Sequence, residues 1–96
     1  MKLVRDKIPK IILESGSKPD IGFINSRQEY LLWLKAKMDE ESQEFLQDPC
    51  LEEAADIYEV FLSMIRLVNI NLEDVIEKAQ NKREIRGSFR EGVLLK

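Results

Sequence analysis

Ninety-six residues make one domain spanning 1–96, because neither half of so short a chain would have enough interior to fold alone. Hydrophobic residues at 44% and charged residues at 34% exclude a disordered or membrane-embedded chain, and a net charge of −3 excludes a protein built to coat nucleic acid. No membrane partner is expected either, since no apolar run approaches ~18 residues and the charged opening lacks a signal-peptide pattern, which makes the cytoplasm the expected location.

The pattern predicts a short first helix from about Asp6 to Glu14, with Asp6 as cap, Pro9 in the first turn and Gly16 as the stop. Ser15 to Ser26 reads as a connector. Within it, Ile21-Gly22-Phe23-Ile24 is apolar enough to pair as a strand with Phe89 to Leu95. A second helix begins after Ser26, where Tyr30, Leu31, Leu34, Met38 and Phe45 recur at helical intervals, and it stops near Asp48-Pro49. Asp48 as cap and Pro49 as first residue open a third helix, whose apolar faces carry Ile57, Val60, Phe61, Met64, Leu67 and Val68. Asn69-Ile70-Asn71 ends it, and Asn71 caps a fourth helix from about Leu72 to Arg86 with Gly87 just beyond. The expected fold is all-α, a four-helix bundle with a small two-stranded β element.

With one cysteine and no histidine, the usual zinc sites and histidine-based catalytic triads are absent, so any chemistry must rest on carboxylates, Lys, Arg, Ser or Tyr. Two acidic pairs at i, i+3 stand out: Glu41 with Glu44 on the second helix, Glu53 with Asp56 on the third. Glu44 and Glu53 lie equally far from the middle of the Asp48-Pro49 turn, and Glu41 and Asp56 lie equally far one step further out. In an antiparallel hairpin equal distances mean equal heights, and about 1.5 Å of rise per residue puts the two levels only ~4.5 Å apart.

Helical phase adds a second constraint. At about 100° per residue, Leu34, Phe45 and Met38 fall about 20°, 40° and 60° from Glu41, and Leu67 and Val60 fall about 20° and 40° from Asp56. Both acids therefore face apolar stripes. Gathering like charges there costs several kcal/mol each, on the order of a buried-ion penalty, unless protons, basic partners or a cation neutralise them. Oxygen donors without His or Cys select a hard ion, Mg²⁺ first and Mn²⁺ second. The plainer alternative is a set of solvated surface acids in a chain that has eighteen of them. Glu40 and Glu52 are neighbouring acids whose phases place them at the periphery.

At these residues the sequence resembles the all-helical nucleotide pyrophosphohydrolases, the superfamily of MazG, dimeric dUTPase and phosphoribosyl-ATP pyrophosphohydrolase. Their E-x-x-E, gap, E-x-x-D pattern is matched by Glu41 to Glu44 and Glu53 to Asp56, with only the eight residues Phe45 to Glu52 between. The opening Lys2-Leu3-Val4-Arg5-Asp6-Lys7-Ile8-Pro9 and the closing Lys82-Arg83-Glu84-Ile85-Arg86-Gly87-Ser88-Phe89 also look like the small phosphoribosyl-ATP pyrophosphohydrolase-like branch. The resemblance implies a MazG-like fold, Glu41, Glu44, Glu53 and Asp56 as Mg²⁺ ligands, and cleavage of a nucleoside triphosphate between its α and β phosphates. The products would be a monophosphate and pyrophosphate, in a house-cleaning or pool-regulating role.

Such a reaction needs a carboxylate to orient water, Glu40 or one of the four such as Glu41 or Glu44. It also needs cations for the phosphates, which Arg5, Lys7, Lys37, Lys82, Arg83 and Arg86 offer, although each also reads as a surface charge and the last three as favourable helix-end cations. Trp33, Leu32, Phe61, Leu62 and Ile65 widen the apolar surface beyond one stripe per helix, which predicts a homodimer or a dimer of dimers. The competing expectations are a nucleotide-binding module of the same fold and a helical adaptor whose acids simply pair with neighbouring Lys and Arg.

Overall fold

The computed structural model describes residues 1–96 and is all-helical, with α1 at Ile8–Glu14, α2 at Arg27–Gln47, α3 at Leu51–Leu67 and α4 at Leu72–Arg86. α1 starts two residues later than the pattern predicts. Lys7 rather than Asp6 takes the cap position, without a side-chain cap bond. Pro9 sits in the first turn, where its missing N–H has no intrahelical acceptor to lose. Gly16, at φ +95°, supplies the left-handed residue that lets Ser17 N–H reach back to the Ile12 carbonyl and close the helix.

Ser26 opens α2 by accepting a hydrogen bond from Glu29 N–H at 3.1 Å. At about 1.5 Å per residue α2 runs ~31 Å, and Asp48 N–H donates to the Glu44 carbonyl at its end. The third helix begins two residues beyond the predicted start: Cys50 occupies the cap position, and Asp48 and Pro49 belong to the turn. Asn69, at φ +60°, terminates α3, with its own N–H on Arg66 and that of Ile70 on Ile65, the double closure typical of a left-handed C-terminal residue. Asn71 caps α4 through its side-chain oxygen, 2.8 Å from Glu73 N, as its position predicts.

The predicted β element is absent. Ile21 to Ile24 and Phe89 to Leu95 are irregular, with Phe23 and Phe89 largely exposed. An isolated two-stranded pair has too little to bury, and Gly22 and Gly92 weaken both candidate segments.

Packing is concentrated between α2 and α3, which form an antiparallel hairpin; no other pair of helices is comparably joined. Leu34 of α2 and Val60, Leu62 and Ile65 of α3 are the buried apolar residues. The radius of gyration is 17.0 Å, against ~12.5 Å for a compact domain of this length, and the extents are 53 × 31 × 26 Å. No helix is long and apolar enough to cross a membrane.

Candidate metal centre

The hairpin brings both acidic pairs together. One carboxylate oxygen from each of Glu41, Glu44, Glu53 and Asp56 lies within 4.8 Å of the others. Opposite oxygen ligands of an octahedral Mg²⁺ stand about 4.2 Å apart, so these four atoms are already gathered to the scale of one coordination sphere. Two like charges at this separation repel by about 1 kcal/mol in bulk water and by about 3.5 kcal/mol at an effective dielectric near 20.

Glu41 is 6% exposed and is the only charged residue in the buried set. It is placed there because it follows Leu34 by two helical turns on the inward face of α2. Its Oε2, and Oε2 of Glu53, are buried with no hydrogen-bond partner. Burial pushes the Glu41 carboxyl above its ordinary value of 4.5; Lys37 pulls it back, and the neighbouring Glu44 charge adds to the rise. Glu53 projects from the first turn of α3, where the helix dipole favours an anion. Asp56 is only half-buried, more open than its phase predicts, because its outer side borders the N-terminal segment rather than a fourth helix.

Two protein cations reach the cluster. Lys37 Nζ lies 3.4 Å from Glu41 Oε1 and 3.3 Å from Glu40 Oε2, with its side chain 17% exposed. Burial alone would lower its pKa, but the hydrogen bonds and charges of Glu40 and Glu41 outweigh this and hold it above 10.5. Arg5 Nη2 lies 2.6 Å from Asp56 Oδ1, and Lys2 Nζ lies 3.7 Å from Glu40 Oε1. Leu3 to Lys7 thus form one wall of a groove of about 330 Å³ whose other walls come from α2 and α3, among them Tyr30, Leu34 and Val60. Glu40 stands at the rim, tied to the two lysines rather than to the quartet.

Arg5, Lys7 and Lys37 line this groove; Lys82, Arg83 and Arg86 do not. Lys82 borders a shallow hollow on α4 with Ile70 and Lys78, while Arg83 and Arg86 end α4 where cations suit the helix dipole. Sequence reasoning missed Lys2 and the wall formed by Leu3 and Val4. The alternation of basic and apolar residues from Lys2 to Lys7 was the available signal, but no local rule says where an irregular segment lies. Glu59 and Ser63 of α3 also line the groove, with the Ser63 hydroxyl donating to the Glu59 carbonyl at 2.9 Å.

Comparison of the chain with known protein families, with curated proteins and with solved structures finds no match. The residues themselves fit a hard divalent cation: four clustered carboxylates, two of which carry a buried, unpartnered oxygen, with burial disfavouring the anionic form of Glu41.

Proposed function

We propose that the protein is a Mg²⁺-dependent nucleoside triphosphate pyrophosphohydrolase that cleaves between the α and β phosphates and releases a monophosphate and pyrophosphate. The observation that carries this reading is the convergence of Glu41, Glu44, Glu53 and Asp56, with buried, unpartnered oxygens on Glu41 and Glu53. The resemblance of E-x-x-E and E-x-x-D to the nucleotide pyrophosphohydrolases supplies the reaction class.

In this reading the quartet holds Mg²⁺ or Mn²⁺, which when bound neutralises phosphate oxygens and acidifies an attacking water. Lys37 fixes the Glu41 and Glu40 carboxylates in position through its two contacts. A carboxylate, Glu40 or one of the four, orients the water. Arg5 and Lys7 meet the phosphates from the opposite wall of the groove. The open shape and the exposure of Leu32, Leu46, Ile76 and Ile85 support a working form that is a homodimer or a dimer of dimers.

Incubation with a panel of canonical and damaged nucleoside triphosphates plus Mg²⁺ should yield pyrophosphate and monophosphate from at least one. Glu41→Gln and Asp56→Asn should each lower that turnover by at least about 100-fold, the scale of losing a metal-ligand contact. No pyrophosphate from any substrate removes the enzyme reading. The ion pairs of Arg5 and Lys37 favour a second reading, an adaptor whose acids are only structurally neutralised. The unpartnered oxygens of Glu41 and Glu53 weigh against it, and such an adaptor would melt at the same temperature in Mg²⁺ and in EDTA.

A further inference from the structure

The N-terminal segment reaches the acidic cluster through one charged contact, Arg5 on Asp56 at 2.6 Å, from a stretch that is outside any helix. Its companion cation differs in kind. Lys37 is on the same helix as Glu41 and Glu40, four and three residues away, and its side chain is largely buried, so the helix holds it beside them. Arg5 lies ahead of α1 with its side chain 57% exposed; its carbonyl accepts from Ile8 N–H at 3.1 Å, and the other ion pair of this stretch is the exposed Lys2–Glu40 contact at 3.7 Å. The more exposed of the two cations therefore sits on Asp56, one of the four proposed ion ligands, and its departure would loosen a wall of the groove.

We infer that Arg5 and the divalent ion exchange on Asp56: the guanidinium neutralises the cluster when the ion is away, and ion binding releases it together with the Leu3–Lys7 strap. The inference rests on the metal-site reading of the quartet and adds an order of events to it. The strap forms one wall of the groove in the ion-free protein, and the ion frees that wall to move. The exchange adds one positive charge to the acidic cluster, since a doubly charged ion takes the place of a singly charged guanidinium, and the freed guanidinium becomes available to an anion entering the groove.

The test uses Mn²⁺ as the probe on the full chain, comparing wild type with Arg5→Gln and Arg5→Lys. Paramagnetic titration measures affinity, and the rate of tryptic cleavage after Lys7 measures release of the strap. Arg5→Gln should bind Mn²⁺ about two- to fivefold more tightly, the range set by a half-exposed ion pair, with Arg5→Lys between it and wild type. Saturating Mn²⁺ should speed cleavage after Lys7 in wild type up to the rate of Arg5→Gln, which should be fast with or without the ion. Equal Mn²⁺ affinity in wild type and Arg5→Gln, or an unchanged or slower wild-type cleavage rate on adding the ion, overturns the exchange and leaves the metal centre standing. Failure of both proteins to bind Mn²⁺ overturns the metal centre and the exchange with it.

Discussion

Burial holds a proton on Glu41 in the folded chain over a pH range in which the unfolded chain has already released it. Because the folded state then binds more protons, its stability falls as pH rises from about 4.5 through the raised value. Glu41→Gln removes that loss. Its melting temperature should exceed that of the wild type at pH 7 to 8 in EDTA and should match it below pH 4; a lower value at neutral pH would mean that the Lys37 contact outweighs the burial cost. The Lys37 contribution has the same sense in a higher range, being fully present below 10.5 and lost as pH climbs through the raised value. Leu34, at 3% exposed, gives the contrast of a purely apolar position two turns before Glu41 on the same face. Leu34→Ala should cost about 2 to 4 kcal/mol in denaturant unfolding without moving the pH profile.

At the scale of elements, the hairpin and its flanking helices should respond differently to the same kind of change. Ser26 caps α2, one of the two helices that make the core, so Ser26→Ala should lower global stability by about 1 kcal/mol. Asn71 makes an equivalent cap on α4, a helix with no buried residue. Asn71→Ala should therefore reduce helicity measured by circular dichroism while leaving the main cooperative transition of the hairpin almost in place. Local chemistry made most of these boundaries readable: Asn71 and Gly87 bracket α4 where capping preferences put them, and Asn69 ends α3. The starts of α1 and α3 slipped by two residues because Asp6 and Asp48 are good caps that the chain's path leaves in turns.

For the molecule as a whole, a radius of gyration of 17.0 Å leaves much apolar surface for a second copy to cover. In the proposed oligomer the exposed Leu32, 64% accessible beside half-buried Trp33, belongs to that covered face. Leu32→Glu should shift sedimentation toward monomer and lower the melting temperature in a concentration-dependent way, whereas an unchanged oligomer would place the contact elsewhere. Loss of the proposed ion would also be a whole-molecule effect, because the quartet joins α2 to α3. EDTA should lower the melting temperature of wild type by about 5 °C or more, the size of a ~1 kcal/mol loss in a domain of this length, and leave Asp56→Asn unmoved.

What the amino-acid order determined by itself is whatever depends on short range: four helical segments, most of their ends, and two acidic pairs set symmetrically about the Asp48-Pro49 turn. Helical rise and phase convert that symmetry into convergence, which is why Glu41, Glu44, Glu53 and Asp56 were legible before any tertiary contact was known. Only the tertiary structure decided which cations answer them. Arg5 and Lys7 arrive through an irregular strap and Lys82, Arg83 and Arg86 stay away on an unpacked helix, and neither outcome is encoded in a local period. The absent strand pair has the same cause, since pairing needs a surface to bury against and the long-range packing of this chain provides none at its two ends.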